Sequence, residues 1–324
     1  MVRWLPTTDT GPLGHLKLPA WITSAPGKTS ENTAFAAGAS FAMLDTTLHQ
    51  NSESIPKDLL ANLLALKAAV ATSKLEGRLA READIRDAYH LAAPGEDGLP
   101  VRGPDGDLLA WWRGAGRLRL THSDWRVRAT VLFEEQHAGL FGNLAGPGFE
   151  RAATVGPVAA AVAALKDVLA INDRAERVAC LMADIILAKS FGWDRPLPLT
   201  ALHLTKASLR GLRDGERGTE IAIVFSIAKS AQTAHRIAID LVVRANALRA
   251  IAPKLRAKGS DDAVAVFLTD DAVAPSGMLS PRIQGTRTPM TGRAARRLCD
   301  RLVELGVARE LTGRASFRLY GIAS

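Results

Sequence analysis

Cysteine is scarce: two in 324 residues, Cys180 and Cys299, far apart and in neither a paired-thiol nor a zinc-ligand spacing. That excludes a disulfide scaffold and makes a reducing cytoplasm the expected compartment. Cys180 lies in the apolar run RVACLMADIILA and is expected to pack as a small hydrophobe. Long apolar runs are missing as well. VGPVAAAVAAL stops well short of the ~20 residues that span a bilayer. The N-terminal MVRWLPTTDTGPLGHLKLPAW has prolines and glycines where a signal peptide needs a continuous apolar stretch. No membrane association is expected. Aromatic residues are only 5% of the chain, whereas Ala, Leu, Val and Arg abound, a composition that leans toward helices. Lysine is absent from the last 44 residues.

Those 44 residues hold nine arginines against three acids, a surplus of six out of the whole chain's +8. A basic end on a nearly neutral body calls for an anionic partner. The rest is ordinary for a globular protein, with 47% hydrophobic and 23% charged residues. The length suits about two domains at ~150 residues each.

Residues 1–30, rich in Pro, Gly and Thr, are expected to form a flexible leader, and helical periodicity begins near Glu31. In PKDLLANLLALKAAVATSKLEG, Leu59, Leu63, Leu66 and Val70 form one stripe, with Pro56 at the helix start. READIRDAYHLA is a further short helix, and the segment from Ala93 to Gly116 reads as a loop by composition, with Trp111 and Trp112 as anchors. Helices follow in HSDWRVRATVLFEEQHAGLF, TVGPVAAAVAALKDVLAI, DRAERVACLMADIILAKSFG and TALHLTKASLRGL, then a long one from Thr219 to Ala252. The expected fold class is mainly α: an irregular helical bundle over residues 31–258, then a winged-helix-like module with a β-hairpin over 259–324. Pro253 and Gly259 bracket the hinge around Lys254, Arg256 and Lys258, and Asp261 and Asp262 suit the positive end of the next helix.

In the module, Thr291 reads as an N-cap. Ala295, Leu298, Leu302 and Leu305 form the buried stripe, and Gly306 stops the helix. VAREL, the turn TGR and ASFRLYG make a hairpin, with Ala315, Phe317 and Leu319 expected inward and Ser316, Arg318 and Tyr320 outward. Helix, cap and basic hairpin in this order are parts of a winged helix, whose helix enters the major groove while the wing contacts phosphates. Arg293, Arg296 and Arg297 are therefore expected near bases, and Arg309, Arg314 and Arg318 on phosphates. The segment before the helix, AVAPSGMLSPRIQGTRTPM, is a poor second helix and reads instead as a basic loop carrying Arg282 and Arg287.

DRLVELGVARELTGRASFRLYGI resembles the winged helix that follows many Fic domains. The Fic signature, His-Pro-Phe followed by Gly-Asn-Gly-Arg, is absent, so AMP transfer is not implied. Over nearly its whole length the chain resembles an uncharacterised bacterial family, domain of unknown function 1403. The stretches ALKAAVATSKLEGRLAREADIRDAYHLAAPGEDG, FGWDRPLPL, APKLRAKG and GRAARRLCDRLVELGVARELTGRASFRLYGI carry this resemblance. It implies an architecture and no mechanism.

Catalytic signals are weak. APGKTS contains Gly-Lys-Thr, but Ile22 stands where a phosphate loop needs its first glycine. Glu134 and His137, and Asp87 and His90, have the three-residue spacing of di-iron ligands, but two further carboxylates are unassigned. His122 near Asp124 has no nucleophile, and His203 and His235 sit on apolar helices as hydrogen-bonded residues. Asp194 and Arg195 in FGWDRPLPL read as a structural ion pair. The expectation is a non-enzymatic protein without cofactor that binds DNA through Arg282, Arg287, Arg293, Arg296, Arg297, Arg309, Arg314 and Arg318, its body serving dimerisation or a protein partner. The alternatives are an assembly module without nucleic-acid binding and a metal-dependent enzyme on the helical body.

Overall fold

A computed structural model describes residues 29–255, 258–314 and 316–323, without the side chains of 134–138 and 140–142. Most of the expected leader, the Gly-Lys of APGKTS, Arg256, Ala315 and the side chains of Glu134 and His137 thus lie outside the described residues. Thr29 caps the first helix by accepting from the Asn32 amide at 3.3 Å. The described chain is mainly helical: twelve α-helices and two small two-stranded antiparallel sheets.

The body runs α1 (Ser30–Gln50), α2 (Lys57–Leu75), α3 (Glu82–His90), β1 (Ala93–Pro94), β2 (Pro100–Val101), α4 (Gly103–Gly116), α5 (Trp125–Leu132), α6 (Glu134–Val155), α7 (Pro157–Ile171), α8 (Glu176–Ser190), α9 (Lys206–Asp214) and α10 (Thr219–Ile251). Short 3-10 turns precede α9 and follow α10. The long α10 packs along α1, and α7 packs against α6 and α8. Burial on α2 is wider than one stripe: Leu59, Leu60, Leu64, Ala65, Leu66 and Ala68 are all inside, and α8 is enclosed from Val178 to Ala188. A helix apolar on every side belongs in the middle of a bundle. Cys180 is one of those enclosed residues, and burial pushes its thiol well above the usual range.

The segment from Ala93 to Gly116 is not a loop. After the β1–β2 hairpin, Gly103 at positive φ and Pro104 start a helix that buries Leu108, Leu109, Trp112 and Ala115. Its glycines and aspartates are poor helix formers, but the three- and four-residue spacing of these apolar residues prevails once they are buried. Gly106 lets α4 approach α3, because a Cβ there would sit 2.9 Å from the Ala88 carbonyl oxygen. Trp112 donates to Thr72 Oγ1 at 3.0 Å and Trp111 to the Leu132 carbonyl at 2.6 Å.

FGWDRPLPL is a structural clamp. Phe41, Phe191 and Trp193 form a cluster of rings, with the Phe191 centroid 5.2 Å from Phe41 and 5.3 Å from Trp193 and Phe41 6.4 Å from Trp193, and Trp193 donates to Asp45 at 2.8 Å. Arg195 lies 3.6 Å from Asp194, as the sequence suggested, and also reaches Asp58 at 2.6 Å, while Arg119 holds Asp194 at 2.6 Å. His203 and His235 bond Thr233 and Thr47, each at 3.0 Å. Asp184 on α8 is fully enclosed and accepts from the Thr200 amide and hydroxyl and the Leu199 amide. Burial outweighs these bonds and raises its pKa to about 7.

The C-terminal segment comprises α11 (Ser260–Phe267), α12 (Gly292–Glu304), β3 (Ala308–Glu310) and β4 (Tyr320–Ile322), with Ala308 opposite Ile322 and Glu310 opposite Tyr320. Its apolar residues Phe267, Val273, Leu298 and Leu302 belong to the same hydrophobic cluster as the body. A buried ionic group ties it further. Arg113 of α4 pairs with Asp270 and, at 2.9 Å, with Asp271, and His90 Nε2 stands 3.2 Å from Arg113 and 3.4 Å from Asp271. Asn62 of α2 donates to the Thr269 carbonyl at 2.8 Å, and Arg86 of α3 to the Leu311 carbonyl at 3.1 Å.

Arg113→Met strands two carboxylates and should cost about 3–5 kcal/mol, read as a lower urea midpoint at neutral pH. Although burial opposes it, the bond from His90 and the charges of His90 and Arg113 hold the Asp271 carboxyl below its ordinary 3.8. Its contribution is present above that value and lost as pH falls through the lower folded value, so the wild-type advantage should narrow only in acid. Asp184 has the opposite sign. Its contribution is full below pH 3.8 and lost as pH rises toward about 7. The wild-type stability relative to Asp184→Asn should therefore improve between pH 7.5 and pH 5 in paired urea titrations.

Candidate nucleic-acid interface

The site is built on α12. Thr291 caps it, its hydroxyl accepting from the Ala294 amide at 3.3 Å. Ala295, Leu298, Cys299 and Leu302 are buried and Leu305 is half-buried, which turns the other face to solvent. Burial pushes the Cys299 thiol up to about 12, so it packs as an inert hydrophobe. Gly306 ends the helix at φ 72°, a left-handed angle that disfavours any side chain. The Gly306 amide donates to the Val303 carbonyl at 2.9 Å and the Val307 amide to the Leu302 carbonyl at 3.1 Å, the paired bonds of a Schellman stop.

At 100° per residue, Arg293, Arg296 and Arg297 fall on the solvent face, opposite the buried stripe. All three are exposed, and none has a carboxylate within 4 Å among the described residues. No acid occupies the first turn, so the positive helix end and Arg293 act together there.

Two hairpins flank this helix. Leu268–Met290 contains no helix, in keeping with its prolines. Met290 donates to the Pro281 carbonyl at 3.1 Å and Ile283 to the Thr288 carbonyl at 3.0 Å, closing a tight loop. Arg282 and Arg287 on this loop are exposed and, among the described residues, without an acidic partner. Thr288 donates to Asp262, which fastens the loop to α11.

The second hairpin, β3–β4, differs from the expected tight form. Pairing ends where Leu311 donates to the Leu319 carbonyl at 2.8 Å, leaving a longer loop in place of the three-residue turn. The inward–outward alternation fails in that loop. Phe317, expected inside, is 75% exposed at φ 55°, while Tyr320, expected outside, is buried. The cause is tertiary. Tyr320 of β4 pairs with Val273 as well as with β3, and the strand packs near α10, so Leu319 and Tyr320 are both covered. Arg309 on β3 is exposed and, among the described residues, unpaired. Arg314 lies 3.1 Å from Asp87, and Arg318 donates to the Arg314 carbonyl at 3.0 Å and stands 3.9 Å from Glu310.

The eight arginines therefore divide. Arg282, Arg287, Arg293, Arg296, Arg297 and Arg309 stand free of acids among the described residues, whereas Arg314 and Arg318 are partly neutralised. The Asp87 partner of Arg314 and the cleft beside Arg296 leave no pattern in the sequence, because only the fold brings their parts together.

Asp87 and His90 do not converge on a metal. Asp87 faces Arg86 at 2.8 Å and Arg314, while His90 faces Arg113 and Asp271. Among the described residues no three His, Cys, Asp or Glu groups gather as a metal site, and no helix is long and apolar enough to cross a membrane.

Fold and site define a mainly helical protein with a basic C-terminal segment bearing a hairpin. The chain belongs to the family described as "Protein of unknown function (DUF1403)", whose profile matches residues 7–322. No curated protein and no solved structure gives a significant match.

The helix caps can be tested directly. Thr291→Ala and Gly306→Ala should each cost about 1 kcal/mol and add in the double variant, measured by urea unfolding.

Proposed function

We propose that this protein binds DNA through its C-terminal face, with α12 approaching the bases and the two flanking hairpins holding phosphates. The observation that carries the reading is the group of six exposed arginines that have no carboxylate partner among the described residues. Like charges on one short segment repel one another, and an anionic partner removes that cost. A nucleic-acid backbone supplies regularly spaced anions and releases counterions on binding. The order α11, Val273 as a strand residue, α12, β3 and β4 supports a winged-helix-like reading without its second helix. In that arrangement α12 is the groove helix and the β3–β4 loop is the wing. The loop carrying Arg282 and Arg287 takes the position of the missing helix as a second basic finger.

The helical body would serve dimerisation or a protein partner. Its α5 exposes Val127 and Val131 one turn apart, with 69% and 77% of their surfaces in water. A reducing compartment suits two buried free thiols.

Removing the C-terminal segment is a poor test, because it would orphan Arg113 and uncover core apolar surface. Substitutions in the full chain are cleaner. Fluorescent duplex should bind with an affinity that falls steeply with log salt, and each lost phosphate contact should reduce the slope by about 0.9. Arg282→Ala, Arg287→Ala and Arg309→Ala should weaken binding to all sequences. Arg293→Ala, Arg296→Ala and Arg297→Ala should also relax sequence preference. Unchanged affinity and slope across these variants would reject the reading in favour of a protein-assembly surface.

A further inference from the structure

A cleft of about 580 Å³ opens between α12 and the β3–β4 loop. It is lined by Arg296 and Asp300 from the helix, by Phe317 and Arg318 from the loop, and by Pro275 and Tyr320. Phe317 lines this cleft yet keeps 75% of its surface in water, so an aromatic face stands open for contact. Its left-handed backbone angle of 55° is one that a bulky residue adopts rarely and at a cost. Asp300 accepts from the Tyr320 hydroxyl at 3.2 Å, and no other hydrogen bond to its carboxylate occurs among the described residues. The cleft thus offers an aromatic surface, an acceptor with spare capacity and two guanidinium groups.

We infer that this cleft takes one unpaired nucleotide. The planar base stacks on Phe317, an amino group on its edge donates to Asp300, and the attached phosphate meets Arg296 and Arg318. Each part of the ligand answers a different feature of the cleft. A purely apolar ligand would leave Arg296 and the spare acceptor capacity of Asp300 unused. Stacking on an aromatic side chain is the sequence-tolerant way in which proteins hold unpaired bases. The inference rests on the DNA-binding reading and deepens it: the preferred substrate is DNA with a single-stranded overhang or an extruded base, rather than a continuous duplex.

The test uses the full chain with two fluorescent DNAs, a blunt duplex and the same duplex with an overhang of a few nucleotides containing 2-aminopurine. The wild type should bind the overhang DNA about tenfold tighter, a factor within the range of one base–aromatic stack, and should quench the 2-aminopurine. Phe317→Ala should abolish both the preference and the quenching, and Phe317→Trp should keep them. Because Phe317 is exposed, its loss should not unfold the protein, and an unchanged urea midpoint checks this. Equal wild-type affinity for the two DNAs would overturn the inference and leave the DNA-binding reading standing. A preference that survives in Phe317→Ala would also overturn it, since the base would then lie elsewhere. Binding of neither DNA, even at low salt, would overturn the DNA-binding reading and the inference together.

Discussion

Arg113 is the charge on which the arrangement of the two ends of this chain depends. It leaves α4 fully buried and meets two consecutive carboxylates, Asp270 and Asp271, just beyond α11. A buried ion pair is a poor source of net stability, because desolvation offsets most of its attraction. What it supplies is registry. Two charged groups taken out of water tolerate few placements other than against each other, so residues 270–271 have one seat in the body. The Tyr89 ring contacts the guanidinium groups of Arg113 and Arg102, 4.7 and 4.8 Å from its centroid, and meets His90 edge-on at 4.9 Å. The seat is thus held from several sides.

The rest of the C-terminal face is positioned from that seat. Two residues on, Val273 exchanges backbone bonds of 2.7 and 2.9 Å with Tyr320, which places β4. β4 places β3, and β3 is joined to α12 through the Gly306 stop. A basic helix with a polar solvent face cannot fold or orient itself by charge alone. Here its orientation is inherited, through a short sheet, from a salt bridge in the helical body. The division of labour is economical: a chain segment with little core of its own borrows rigidity from the bundle and spends its solvent face on arginine.

Much of the bundle was legible because helices write their buried faces into the spacing of apolar residues. The long α10 emerges through its β-branched IAIVFSI cluster because four-residue steps persist past it. The break at Gly259, the Thr291 cap and the Gly306 stop were legible because capping chemistry is local. α4 was not, since glycine and aspartate are helix-poor as residues and its stability comes from burying Trp112. The face of Tyr320 was not legible either. A two-residue alternation presumes a strand with one wet side, and Tyr320 acquires a second neighbour from Val273, a partner distant in the chain.

The helical class and the basic C-terminal end are properties of short windows of sequence, since propensity, periodicity and net charge are all local. Only the tertiary structure decided which of the arginines in that end remain free. Asp87 reaches Arg314 across most of the chain's length, and Glu310 approaches Arg318 only when the hairpin closes. It also decided that Phe317 stands exposed beside Arg296. Pairing and exposure depend on which distant surfaces meet, and a one-dimensional pattern carries that information only through the packing it produces.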